Sequence, residues 1–204
     1  MNFANAKRRA AAGFTLIEML IVIGIITVLV AASIVSYSRV TASAEKARCS
    51  ELVKNVHSAL VLLYNDNSGA WPRALINGQA AGRLDERACA ALTKYMPLDL
   101  TGYDRFRIVS PWAQQAIKQL GSRATLTSRV PTGGTVEDHI LRYAIDTEGN
   151  GVIRDAVVGG SSVSLRGTAM VWCCGKDGIL EEYEKGLKKD DVYSWTRGET
   201  QKVQ

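Results

Sequence analysis

The chain has 204 residues, 47% of them hydrophobic and 22% charged, with a formal net charge of +5. That length holds one folded domain and an extra element, and the composition excludes a wholly disordered chain or a miniprotein built on disulfides. The basic excess is too small for a nucleic-acid-binding composition, and Lys7, Arg8 and Arg9 supply three of the five charges, leaving +2 for the rest.

From Phe14 to Val35 only Thr15, Glu18, Gly24, Thr27 and Ser33 interrupt an apolar run, and Met19 to Val35 holds no charge. As a helix this run reaches about 33 Å, enough to cross a bilayer core. The basic cluster before it favours a cytoplasmic N-terminus, which puts everything after Tyr37 on the far side. The run exceeds the roughly 7–15 residues of a cleaved secretory signal core, which counts against a cut near Ala31-Ala32-Ser33. A plain signal anchor leaves Glu18 unexplained, because a lone carboxylate in hydrocarbon is costly and normally has a partner.

The helical pattern continues. Val53, Val56, His57, Leu60, Leu63 and Tyr64 recur at three- and four-residue spacing, while Glu45, Lys46, Arg48, Glu51 and Lys54 fill much of the rest. Asn65-Asp66-Asn67-Ser68-Gly69, followed by Pro72, stops it. One helix from Phe14 to about Asn65 spans roughly 78 Å. Beyond it, Asp85 to Met96 is expected to form a short helix with Ala88, Leu92 and Tyr95 on one face. A second runs from Trp112 to Leu120, with Ser110 as N-cap and Pro111 at the first position. Thr132-Gly133-Gly134 reads as a loop. His139 to Ile145 and Val152 to Val158 read as a hairpin turning through Asp146 to Gly151, and Thr168 to Cys173 as a third, apolar strand. An antiparallel sheet packed on the amphipathic half of the helix buries both stripes.

Gly13-Phe14-Thr15-Leu16-Ile17-Glu18, with basic residues before it and the apolar run after it, resembles the prepilin signal of type IV pilins and type II secretion pseudopilins. The resemblance implies that a membrane prepilin peptidase cuts between Gly13 and Phe14, methylates the new Phe14 amine and leaves 191 residues. It also implies the pilin fold. This is an α+β architecture with a long N-terminal helical spine, transmembrane in its first half, and a C-terminal globular head containing a small antiparallel β-sheet. The corresponding segments are a leader at 1–13, a transmembrane and assembly half at 14–36, and an amphipathic half at 37–66. A variable region with short helices follows at 67–135, then the sheet and C-terminal loop at 136–204. The Phe14 amine and Glu18 carboxylate acquire a physical logic in a filament. Opposite buried charges on neighbouring subunits neutralise each other, and neither is tolerable alone. Many family members have a Pro where Val35 stands, and no Pro occurs between Gly24 and Ser68, so the usual cause of a kink is missing here. Leu63 to Pro72 also resembles the helix end of pseudopilins.

Val171-Trp172-Cys173-Cys174-Gly175-Lys176-Asp177-Gly178, a charged loop, and Asp190-Asp191-Val192-Tyr193-Ser194-Trp195 resemble the end of type II secretion major pseudopilins, where this stretch forms a calcium loop. By that resemblance Asp177, Asp190 and Asp191 are the Ca2+ ligands, with Asp191 first; the alternative is a solvated acidic turn paired with Lys188 and Lys189. A weaker metal alternative is Asp146, Glu148 and Asn150, which with Gly151 match the start of an EF-hand loop. That match fails at its twelfth position, Val157, and a plain turn explains the same residues. Cys49, Cys89, Cys173 and Cys174 are expected to face an oxidising compartment, where four cysteines allow three connectivities that sequence does not resolve. The adjacent Cys173 and Cys174 point to opposite faces of a strand and do not suit each other. The lack of a C-x-x-C pair disfavours zinc. His57 and His139 read as core-edge residues, and no nucleophile or nucleotide-binding motif occurs, so no enzyme is expected.

The expectation is therefore a filament subunit, a pseudopilin of a type II secretion system that assembles into a periplasmic piston-like pseudopilus. Its partners are copies of itself, other pilin-like subunits, the prepilin peptidase and an inner-membrane assembly platform. Before assembly it is a single-pass inner-membrane protein with a periplasmic head. Glu18 favours a place in the shaft, because the usual minor tip subunit lacks it. The alternative is a type IV pilus subunit for adhesion, motility or DNA uptake, and only the last brings in nucleic acid. A third reading is a membrane-anchored enzyme or binding domain, with an uncut leader and a pocket within residues 73–135.

Overall fold

The computed structural model describes residues 14–76, 81–96, 108–158, 160–180 and 191–195. The chain divides into two compact units, residues 1–43 and 44–204.

The first unit is the beginning of α1 (Leu16–Asp66). Within it, Leu16–Ser33 is long and apolar enough to cross a membrane, and none of that stretch is buried within the structure. Such an all-round apolar helix cannot satisfy itself in water, because no polar face offsets it. α1 contains the Val35 position within its helical span, in line with the absence of a Pro there.

In the second unit α1 is amphipathic. Cys49, Val53, Val56, Leu60 and Leu63 are buried, whereas Glu51, Lys54 and Asn55 are exposed. The helix ends because Ser68 and Gly69 take positive φ angles of 56° and 80°, and the Gly69 N–H folds back onto the Tyr64 carbonyl at 3.0 Å. Trp71 then stacks against Tyr64 and donates its indole N–H to the Asp146 carbonyl at 2.8 Å, tying the helix end to the sheet.

The following elements are α2 (Arg73–Ile76), β1 (Ala81–Arg83), α3 (Glu86–Leu92) and α4 (Pro111–Leu120). After a 3-10 turn at Gly121–Arg123 come β2 (Arg142–Ile145), β3 (Val152–Val158), β4 (Ser161–Arg166), β5 (Ala169–Cys173) and β6 (Val192–Tyr193). Among the described residues there are a four-stranded antiparallel sheet in the order β1-β2-β5-β6 and a two-stranded sheet, β3-β4.

The hairpin expected between 139–145 and 152–158 is not formed. β2 pairs with β1 and β5, and β3 pairs with β4. The intervening turn redirects the chain, with Gly149 and Gly151 both at positive φ. Both Asp146 oxygens are bound by backbone N–H groups of that turn, at 2.6 to 3.0 Å. The strand predicted from His139 begins only at Arg142. The helix expected from Asp85 to Met96 is shorter, with Asp85 outside it as a cap accepting from the N–H groups of Arg87 and Ala88. Ser110 does stand before Pro111, but its hydroxyl does not cap α4.

β5 is buried at all five positions, because both of its faces are covered. Val171 and Cys173 share a core cluster with α1, α3 and α4, whereas Met170 and Trp172 pack with Ile153, Val163 and Leu165 of the β3–β4 pair. In β3 a register shift between Ile153 and Ala156, with Asp155 at φ 53°, restores the inward direction of the later residues.

Candidate functional site

Three regions carry the candidate site residues singled out by sequence: the start of α1 in the first unit, and, in the second, the turn after β5 and the turn between β2 and β3.

Gly13 lies outside the described residues. Phe14 is 75% exposed, and Leu16 and Ile17 are also exposed. The Glu18 carboxylate accepts from the Thr15 N–H at 2.7 Å and from the Thr15 hydroxyl at 2.8 Å. The Glu18 N–H in turn donates to the Thr15 hydroxyl oxygen at 3.3 Å. This is a reciprocal capping box, in which Thr15 and Glu18 satisfy each other's free groups at the first turn of α1. Glu18 thus has a local role that the charge-pairing argument missed. The signal was present in the sequence as Thr-x-x-Glu ahead of an apolar run.

The turn after β5 is seated on residues distant in sequence. The Asp177 carboxylate accepts from the Ile179 N–H at 3.0 Å. Asp191, 8% exposed, accepts from the Gly175 N–H at 2.8 Å and from the Tyr193 hydroxyl at 3.3 Å. Asp191 therefore latches the strand end that follows β5 to the start of β6. A Cβ on Gly133 would meet the Asp177 carbonyl oxygen at 2.6 Å, and one on Gly178 would meet His139 Nε2 at 2.9 Å. This packing seats the turn against the 133–139 segment, which the lack of apolar periodicity had concealed.

Asp190, the third expected calcium ligand, lies outside the described residues. Among the described residues, no group of three His, Cys, Asp or Glu side chains is placed to hold a metal ion. Asp177 and Asp191 present carboxylate oxygens suited to a hard cation, and the set is completed only with Asp190. At the weaker alternative, Asp146 is 2% exposed and organises its own turn, while Glu148 accepts from the Asn150 amide at 2.7 Å. These contacts are those of a structural turn.

Residues 8–34 match the family model described as the prokaryotic N-terminal methylation motif. The chain carries the prepilin signature of type IV pilins and pseudopilins. This supports a type IV pilin-like or pseudopilin subunit in general terms. The prepilin signature and the exposed apolar helix behind it are consistent with membrane anchoring. No curated protein and no solved structure matches the chain.

In this prepilin-like chain His139 is wholly buried, deeper than a core-edge position. Its Nε2–H faces the Gly133 carbonyl at 3.0 Å, leaving Nδ1 to accept from the buried Ser110 hydroxyl at 2.9 Å. The pair joins the 108–110 segment to the loop under the C-terminal turn. Burial pushes the imidazole pKa down, against the Gly133 carbonyl and the charges of Asp138 and Asp177, which pull it up. An open groove between α1 and α4 is lined by Glu45, Arg48 and Glu51 on one side and Gln114, Gln115 and Lys118 on the other. Its lining is mostly polar, with Leu52 and Pro111 as its apolar members, and contains neither His nor Cys.

Proposed function

We propose that the protein is the filament subunit of a type II secretion pseudopilus. The observation that carries the pilin-like part is the prepilin motif at residues 8–34, running into a helix whose apolar side chains have no cover of their own. Such helices are stored in the inner membrane and leave lipid by burying against one another in a bundle. Head-to-tail contacts of this kind do not close, so they build a fibre. Cutting between Gly13 and Phe14 frees an amine four residues from Glu18, where a neighbouring copy's carboxylate can neutralise it. The proposed partners are further copies, other pilin-like subunits, the prepilin peptidase and an inner-membrane assembly platform, with the head on the periplasmic side.

The choice of secretion over a pilus rests on the C-terminal stretch, where Asp191 stands before β6 and Trp195 and holds Gly175. Asp177, Asp190 and Asp191 are the proposed Ca2+ ligands there, and the ion would supply a tie across the intervening loop. Mass spectrometry of the membrane-extracted protein tests the core of this reading. The expected product begins with N-methylated Phe14. An intact leader, or a cut near Ala32, would overturn it.

A further inference from the structure

Two periodicities converge on one pair of sulfurs. On α1, Cys49 begins the buried stripe that continues through Val53, Val56, Leu60 and Leu63. On β5, Cys173 ends the inward row of Ala169, Val171 and Cys173. Both stripes face the same core, Cys49 is 0% and Cys173 1% exposed, and Cys49 lies near enough to Cys173 to push its thiol pKa up, while the Cys173 thiol donates to the Cys174 carbonyl at 3.1 Å. Cys174, one residue on, points elsewhere and donates to the Asp138 carbonyl at 3.1 Å, while Cys89 donates to the Leu84 carbonyl at 3.5 Å.

We propose that Cys49 and Cys173 are a disulfide-forming pair that staples the head's segment of α1 to the central strand of its sheet. Of the pairings open to four cysteines, this one joins buried side chains that share one core and already influence each other. The oxidant is a dithiol-disulfide donor of the compartment into which the head is exported, and that exposure rests on the placement proposed above. A thiolate of the pair attacks one donor sulfur, forming a mixed disulfide and releasing a donor thiolate. The second cysteine thiolate then attacks the bonded cysteine sulfur, and the other donor thiolate leaves. The pair loses two electrons and two protons, and the donor is left as a dithiol. In the closed core the nearness of Cys49, together with burial, holds the Cys173 thiol well above its usual pKa. Exchange therefore belongs to folding, before α1 seals against β5, and the finished bond is shielded from reductant.

The test uses the full chain in detergent, reduced, unfolded and refolded in glutathione and glutathione disulfide. Remaining thiols are then alkylated and the digest is mapped by mass spectrometry. The expected result is a Cys49 peptide joined to the peptide that holds Cys173, with fragmentation between Cys173 and Cys174 assigning the bond to Cys173. Cys174→Ala should keep the link and Cys173→Ala should remove it. Reduction should lower the Tm by about 10 °C, because the bond closes a long loop. Alkylation of both residues, or a link from Cys49 to Cys89 or Cys174, would overturn the pairing. The same trapping in intact cells separates the two claims. Free thiols in cells, with the link still forming in glutathione, would refute the proposed placement of the head and leave the pair standing.

Discussion

Glu18 closes a capping box on Thr15, so removing it changes a helix start as well as a charge. Glu18→Gln keeps a side-chain acceptor for Thr15 and removes the charge, whereas Glu18→Ala removes both. If the carboxylate pairs with a neighbour's amine, both variants fail to polymerise in cells, as scored by electron microscopy. Only Glu18→Ala should also fray the first turn in detergent, read as a loss of helical signal. Filaments from Glu18→Gln would mean that the cap alone is needed. Asp191 also has two proposed jobs. Asp191→Ala strips a partner from the Gly175 N–H, which costs about 1–3 kcal/mol with or without calcium. The informative quantity is therefore the difference between melts in calcium and in chelator, which the wild type is expected to show and Asp191→Ala to lose. His139 sets a pH dependence. Its folded pKa lies below the usual 6.5, so the unfolded chain takes up a proton first as pH falls. Stability from this residue is complete above about pH 6.5 and declines below it, so the Tm should fall between pH 7 and 5. His139→Gln should flatten that slope. Asp138 acts at lower pH. Burial pushes its pKa up, but the hydrogen bonds from Thr135 together with the charges of Arg83 and His139 bring it below the usual 3.8, so its contribution is lost only in stronger acid.

At the scale of elements, pattern identified most segments and failed on their pairing. The apolar runs of β2 and β3 mark both as strands, but period-two alternation says nothing about which strand lies alongside. Asp146, Gly149 and Gly151 turn the chain out of the first sheet, and β5, buried on both faces, becomes the partner of β2. The short strands β1 and β6 gave no periodic signal, since three and two residues are too few to show one. α1 behaved differently, because a stripe repeated over four turns is hard to mistake. Its energetic weight can be measured. Leu60→Ala should destabilise the head by about 2–5 kcal/mol, and the exposed Lys54→Ala by less than about 0.5 kcal/mol, read from denaturant unfolding.

For the whole molecule, the sequence alone determined that an apolar helix lies behind a prepilin motif, and that its continuation is one-sided and carries an α+β head. Those features are local in the chain: a hexapeptide, a run of apolar residues and a three-to-four-residue stripe. Only the tertiary structure decided that Thr15 engages Glu18, that Asp191 holds Gly175, that Ser110 serves His139 rather than its own helix, and that Cys49 meets Cys173. The first of these was legible as a spacing. The others join residues 16 to 124 positions apart, whose encounter depends on how β5 is covered on both faces, and no periodicity within a segment encodes which distant segment will provide that cover.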